Sequence, residues 1–221
     1  VGTAFHAPSF NDLYWPLDPV NFFQGNPALR PETARNHEIG LNYAVAETRV
    51  SLTAYHNKVD NLIDFVAGSA PNFIGTMGNL NAATLKGVSL SYADKVGAWS
   101  WQWHADFLSA EDDATGRTLQ RRAPRTGGGD VGYTQGNLSV HARVQATSSR
   151  YNNAANTQKL AGYAVLDLDA RYKLDRNWTL EGKLSNVFDK DYTLVSTTIP
   201  PANIYAVPGR GLFVGLRYSP K

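Results

Sequence analysis

The chain has 221 residues, with 21 Lys and Arg against 19 Asp and Glu, so its formal net charge is only +2. That balance argues against the basic footprint of a nucleic-acid-binding domain. The absence of cysteine excludes disulfides and thiolate metal sites, and no apolar run approaches the ~18 residues that a membrane helix needs. Hydrophobic residues make up 43 %, and 5 Trp with 11 Tyr suit β structure or a membrane interface. The chain starts Val1-Gly2-Thr3, and Met77 is its only methionine, so the expectation is either that something is removed upstream or that residues 1–221 are a fragment of a longer chain.

Alternation with period two dominates the sequence. It places successive side chains on opposite faces of a strand and predicts about ten strands. The first three lie near 1–7, 33–45 and 48–59, with weak alternation at Ile39–Tyr43 and Val50–Ala54. A fourth, near 82–94, is marked by Val88–Tyr92. In the fifth, near 98–109, Trp99, Trp101, Trp103, Ala105 and Phe107 alternate with Ser100, Gln102, His104 and Asp106. The sixth, near 119–134, is interrupted by Gly127-Gly128-Gly129, which reads as a bulge or bend. Leu138, Val140, Ala142, Val144 and Ala146 mark the seventh, near 137–149. Leu166, Leu168, Ala170, Tyr172 and Leu174 mark the eighth, near 161–174. Trp178, Leu180 and Leu184 mark the ninth, near 176–187, and Leu212, Val214, Leu216 and Tyr218 the last, near 205–218.

The connections alternate between short and long. Short turns fall at Ala46-Glu47, Lys95-Val96-Gly97, Gln135-Gly136 and Asp175. Long loops cover roughly 8–32, 60–81, 110–118, 150–160 and 188–204. Tight turns at one end and long loops at the other are the asymmetry of an outer-membrane β-barrel. Alternation by itself fits a soluble β-sandwich as well.

No catalytic constellation stands out, so the chain reads as a non-enzyme that needs no cofactor. The five histidines, His6, His37, His56, His104 and His141, lie on separate strands with no paired metal-ligand spacing. Gly127–Gly132 formally matches GxGxxG but lacks the strand-turn-helix setting of a dinucleotide site. Glu111-Asp112-Asp113 could ligate calcium, although adjacent loop acids are usually just solvated. No metal site is assigned.

Several stretches, in order, resemble the C-terminal half of TonB-dependent outer-membrane receptors. They are Gly2–Tyr14, Gly25-Asn26-Pro27-Ala28-Leu29-Arg30-Pro31-Glu32, Asn61-Leu62-Ile63-Asp64, Leu119–Pro124 and Ser185-Asn186-Val187-Phe188-Asp189-Lys190-Asp191-Tyr192. Pro208, Gly209 and Arg210, followed by a last strand ending near Tyr218, resemble the family's C-terminal signature. Within the family the likeness is to the vitamin B12 (cobalamin) receptors.

The resemblance implies an all-β fold, an antiparallel transmembrane β-barrel in which residues 1–221 supply about ten of about 22 strands. It implies residence in the outer membrane of a Gram-negative bacterium, in contact with lipid. It also implies active uptake of a large scarce ligand, cobalamin or an iron-siderophore, with TonB engaged through an N-terminal plug. The first Arg of the family's Arg-Arg-Ala run contacts the corrinoid, which maps onto Arg121. On residues alone, Arg121 fits equally an interior arginine paired with a barrel carboxylate. The family's ligand-binding tyrosine aligns with Ala155, and nearby Tyr151 is the candidate substitute. Tyr14, Trp15, Phe22 and Phe23 suit either stacking on a flat macrocycle or packing within their own loop. An autonomous ten-strand barrel acting as a pore or adhesin is the alternative to a receptor segment.

Overall fold

The computed structural model describes residues 1–20, 22–69, 71–79, 82–196 and 204–220. Ten long strands are present: β1 Gly2–His6, β2 Glu32–Val45, β3 Thr48–Asp60, β4 Ala82–Val96, β5 Trp99–Asp112, β6 Arg125–Gln135, β7 Leu138–Thr147, β8 Tyr163–Lys173, β9 Trp178–Ser185 and β10 Gly211–Tyr218. They form one sheet in chain order, from β1 at one end to β10 at the other. The β1–β2 pair and each neighbouring pair from β5 to β10 are antiparallel. Among the described residues, β1 and β10 are the end strands of this order. Most of the expected 188–204 loop is described, but its residues 197–203 lie outside the described residues.

Two expected strands are shorter than their sequence pattern. The sixth begins at Arg125, because Leu119–Pro124 forms a turn whose Arg121 has a φ of 60°. The last begins at Gly211, and Ile204–Ala206 pairs with Thr193–Ser196 in a separate two-stranded sheet. The Gly127–Gly129 run produces no bulge. β6 keeps an unbroken register with β5 on one side and β7 on the other. Gly128 and Gly129 instead clear space for neighbouring rings. A Cβ on Gly129 would fall inside the Trp103 indole, and one on Gly128 would lie 2.8 Å from the His104 ring.

By contacts the chain divides into one unit of residues 1–39, 55–87 and 109–119 and another of 40–54, 88–108 and 120–221. In the second unit, register sorts the side chains by face. Trp103 opposes Gly129, Gly129 opposes Val144, and Val144 opposes Leu166. One residue along, Gln102 opposes Asp130, Asp130 opposes Arg143, and Arg143 opposes Asp167. One face is thus apolar and the other polar.

The apolar face is bare. Leu212, Val214 and Leu216 are 76, 65 and 57 % exposed, and among the described residues no large side chain is fully buried. A contiguous apolar surface of this kind suits hydrocarbon rather than water. Its short-turn end carries Trp99 against Tyr133 and Trp178 against Tyr218, each with ring centroids 4.8 Å apart. Aromatic pairs at strand ends are the interfacial girdle of a membrane barrel.

The polar face is internally neutralised. Asp130 accepts from His141 Nδ1 at 2.8 Å and lies 3.1 Å from Arg143, which also lies 3.5 Å from Asp169. Glu181 lies between Arg171 and Arg217. At the β8–β9 turn, Asp175 accepts from the N–H groups of Asn177 and Trp178 at 2.7 and 2.9 Å. Those bonds hold its carboxyl below the ordinary carboxylate range.

Candidate functional site

In the first unit, the stretches that resemble the family act as loop staples. Ser9 and Asp12 form a reciprocal capping box on the short helix Phe10–Tyr14. Asn26 donates from Nδ2 to the Met77 carbonyl at 3.0 Å and accepts from the Ala28 N–H at 3.0 Å. Asn79 bridges two loops. It accepts from the Arg30 N–H and donates to the carbonyls of Arg30 and Asn61. Glu32 accepts from the Ile63 N–H at 2.6 Å, and its other oxygen lies 3.4 Å from His6. These bonds tie residues 26–32 to 61–63 and 77–79 through backbone groups.

Among the loop aromatics, packing within the loops is seen at Phe23 and Phe10. Phe23 stacks on Phe65 at 6.3 Å, so it packs within its own loops. Phe10 meets Tyr14 at 5.2 Å, yet Tyr14 and Trp15 stay 57 and 42 % exposed. The acidic run acts as a turn. Asp112 Oδ1 accepts from the Ala114 N–H, Glu111 accepts from the Ser109 hydroxyl, and Asp113 lies 3.8 Å from Lys58. Among the described residues, no group of three or more His, Asp or Glu is placed to hold a metal ion.

In the second unit, the two candidate ligand residues come together. The Arg121 N–H donates to the Tyr151 carbonyl at 2.7 Å. Arg121 is exposed and sits in a turn between strands. Among the described residues no carboxylate lies within ion-pair distance of its side chain. Tyr151 belongs to a two-residue strand, Arg150–Tyr151, which pairs with Lys159–Leu160.

Tyr151 is flanked by two buried polar residues, Arg150 at 7 % and Asn152 at 5 % exposure. Arg150 Nη2 donates to the carbonyls of Thr193 and Leu194 at 3.1 and 2.8 Å. Asn152 donates to the Ser196 carbonyl at 2.5 Å and accepts from the Ser196 N–H at 3.3 Å. The Arg150 guanidinium also stands over the Tyr163 ring, which stacks on Tyr192 with centroids 4.0 Å apart. Burial there raises the Tyr192 phenol above its ordinary value, with Tyr163 and Asp167 adding to the rise. No sequence motif marked Arg150 or Asn152.

The Ser185–Tyr192 stretch is a clamp of the same kind. Asn186 is 4 % exposed. It accepts from the Lys190 N–H and donates to the Lys190 carbonyl, closing the turn on itself. Asp189 accepts from the Arg210 N–H at 2.7 Å. A Cβ on Gly209 would lie 2.7 Å from the same Asp189 oxygen, so glycine lets that approach happen. Pro208, Gly209 and Arg210 therefore anchor the start of β10 at its long-loop end, while Tyr218 meets Trp178 in a tilted ring pair at the other.

Residues 1–187 match the family model described as "TonB dependent receptor-like, beta-barrel". The vitamin B12 transporter BtuB of Photobacterium profundum is 36 % identical over 201 residues, 89 % of this chain and 32 % of that protein. BtuB of Vibrio vulnificus is 28 % identical over 218 residues, 99 % and 34 % of the respective chains. The chain thus spans about a third of the length of these curated relatives. The solved copper transporter OprC has a TM-score of 0.80 at 20 % identity, covering 98 % of this chain and 35 % of that one. The ferric yersiniabactin uptake receptor FyuA from Yersinia pestis has a TM-score of 0.75 at 18 % identity, covering 85 % and 30 %. At such identities these two structures speak for the fold alone. The family match, the 36 % identical relative and the antiparallel sheet agree: the chain belongs to the TonB-dependent receptor-like β-barrel family.

Proposed function

We propose that residues 1–221 form the C-terminal part of the barrel of an outer-membrane receptor that imports cobalamin. The observation that carries this reading is the 36 % identity to a vitamin B12 transporter over 89 % of the chain. The bare apolar face with its aromatic girdle suits the outer membrane of a Gram-negative bacterium. The neutralised polar face suits a lumen. Transport energy would come through TonB, by way of a plug domain of the same receptor. The role of this segment is wall, outer loops and ligand contact rather than catalysis.

Arg121 and Tyr151 are the proposed ligand contacts. Arg121 offers an exposed guanidinium on a turn whose backbone is tied to Tyr151. Such a group can donate to the amide oxygens on the rim of a corrinoid. Ferric chelates are the alternative ligands, but the chelate receptors that share this fold do so at low identity. Equilibrium binding of cyanocobalamin to the detergent-purified receptor tests the assignment. Arg121→Ala should weaken binding roughly 10-fold, the loss of one charge-assisted hydrogen bond. Unchanged affinity would remove Arg121 from the site.

A further inference from the structure

Tyr151 and Arg121 meet through their backbones, and neither supplies the side-chain anchoring that would hold that meeting in place. The anchoring comes from the residues on either side of Tyr151. Arg150 and Asn152 are both buried, and both reach the same short segment, Thr193–Ser196. Between them they make four hydrogen bonds to its backbone. Arg150 and Asn152 thus grip the 193–196 segment from the two positions that flank Tyr151.

We infer that Arg150 and Asn152 are positioning residues for the Arg121–Tyr151 site, and that the site exists in its binding geometry only while Thr193–Ser196 is docked on them. This rests on the reading that Arg121 and Tyr151 contact the ligand. The partners lie 43 and 44 residues away in sequence, so the grip joins the 150–160 loop to the separate segment 193–196. Asn152 also donates to Gln158 at 3.1 Å, and its N–H donates to the Gln158 carbonyl. Docking is thereby passed into the hairpin that carries the Tyr151 carbonyl. The Tyr163–Tyr192 stack beneath Arg150 lies next to the same segment at its Thr193 end.

The test has one readout that needs no ligand and one that does. Hydrogen exchange is followed at the Arg121 amide and across 193–196 in the ligand-free, detergent-purified receptor, for wild type, Arg150→Met and Asn152→Asp. Arg150→Met keeps the stem and removes the fork. Asn152→Asp keeps the acceptor for the Ser196 N–H and removes the donor. Heat-modifiable migration on gels confirms that each variant has a folded barrel, and Asn152→Asp serves if Arg150→Met does not fold. The expected result is exchange at both segments at least 10-fold faster, with cyanocobalamin binding weakened at least threefold. Unchanged exchange at Arg121 overturns the inference. Faster exchange with unchanged affinity also overturns it, provided Arg121→Ala weakens binding in the same assay. If Arg121→Ala leaves binding unchanged, the ligand reading itself fails and the positioning role fails with it.

Discussion

The N–H of Arg121 donates to the carbonyl of Tyr151 across 2.7 Å, joining the turn before β6 to the hairpin after β7. Because the bond runs between backbones, side-chain changes at either residue leave it standing. Tyr151→Phe should therefore leave the fold intact and report only on contacts of the phenol. We expect weaker cyanocobalamin binding, by a fewfold, with an unchanged denaturant midpoint. A shifted midpoint would mean that the Tyr151 side chain serves packing instead.

The glycine run in β6 predicts a size limit. A methyl group at Gly129 has no room unless the Trp103 indole moves off its position. Gly129→Ala should cost about 1–3 kcal/mol, the usual range for overpacking. Unfolding by urea in detergent micelles would show it as a lower midpoint. Gly182→Ala is the control, since nothing lies within 4 Å of a Cβ there.

Asn186 should be among the least replaceable loop residues. It closes the 186–190 turn with two side-chain bonds to the Lys190 backbone, from a nearly buried position. Asn186→Ala leaves those groups without their partner and should cost about 1–3 kcal/mol. Limited proteolysis of the receptor should then cut within 186–196 faster than in wild type.

The Asp175 turn carries an acid-sensitive element. Its carboxylate accepts two backbone N–H bonds, which lower its folded-state pKa below the unfolded value of about 3.9. A depressed pKa stabilises the fold above the unfolded value, and the gain fades as pH falls through the folded one. Asp175→Asn should therefore narrow its stability gap from wild type as pH drops below about 4. Unfolding midpoints compared at neutral and acid pH measure that gap.

Much of the fold was legible because its period is local. Trp99–Phe107 alternates every second residue, and the register sets Trp101 opposite Val131 and Gln102 opposite Asp130. The loops were legible as motifs but not as mechanisms. Asn26, Asn79, Asn186 and Asp189 bind backbone groups of other turns or of their own, and nothing in the sequence around them announces those partners. The Gly127–Gly129 run read as a bend because glycine usually signals one. Gly128 and Gly129 instead leave room for the rings of His104 and Trp103, which sit on the neighbouring strand β5. Arg121 and Tyr151 were identified one by one from the resemblance. That they touch, and that Arg150 and Asn152 hold them, depends on pairings distant in sequence, which a local pattern does not carry.

The most direct test of cobalamin import is uptake of radiolabelled cyanocobalamin by Gram-negative cells that lack their own cobalamin receptor and express this one, with and without functional TonB. The account predicts accumulation that requires TonB and is not competed by ferric siderophores. Cells that accumulate no cyanocobalamin, while the same receptor supports TonB-dependent uptake of a ferric chelate, would contradict it.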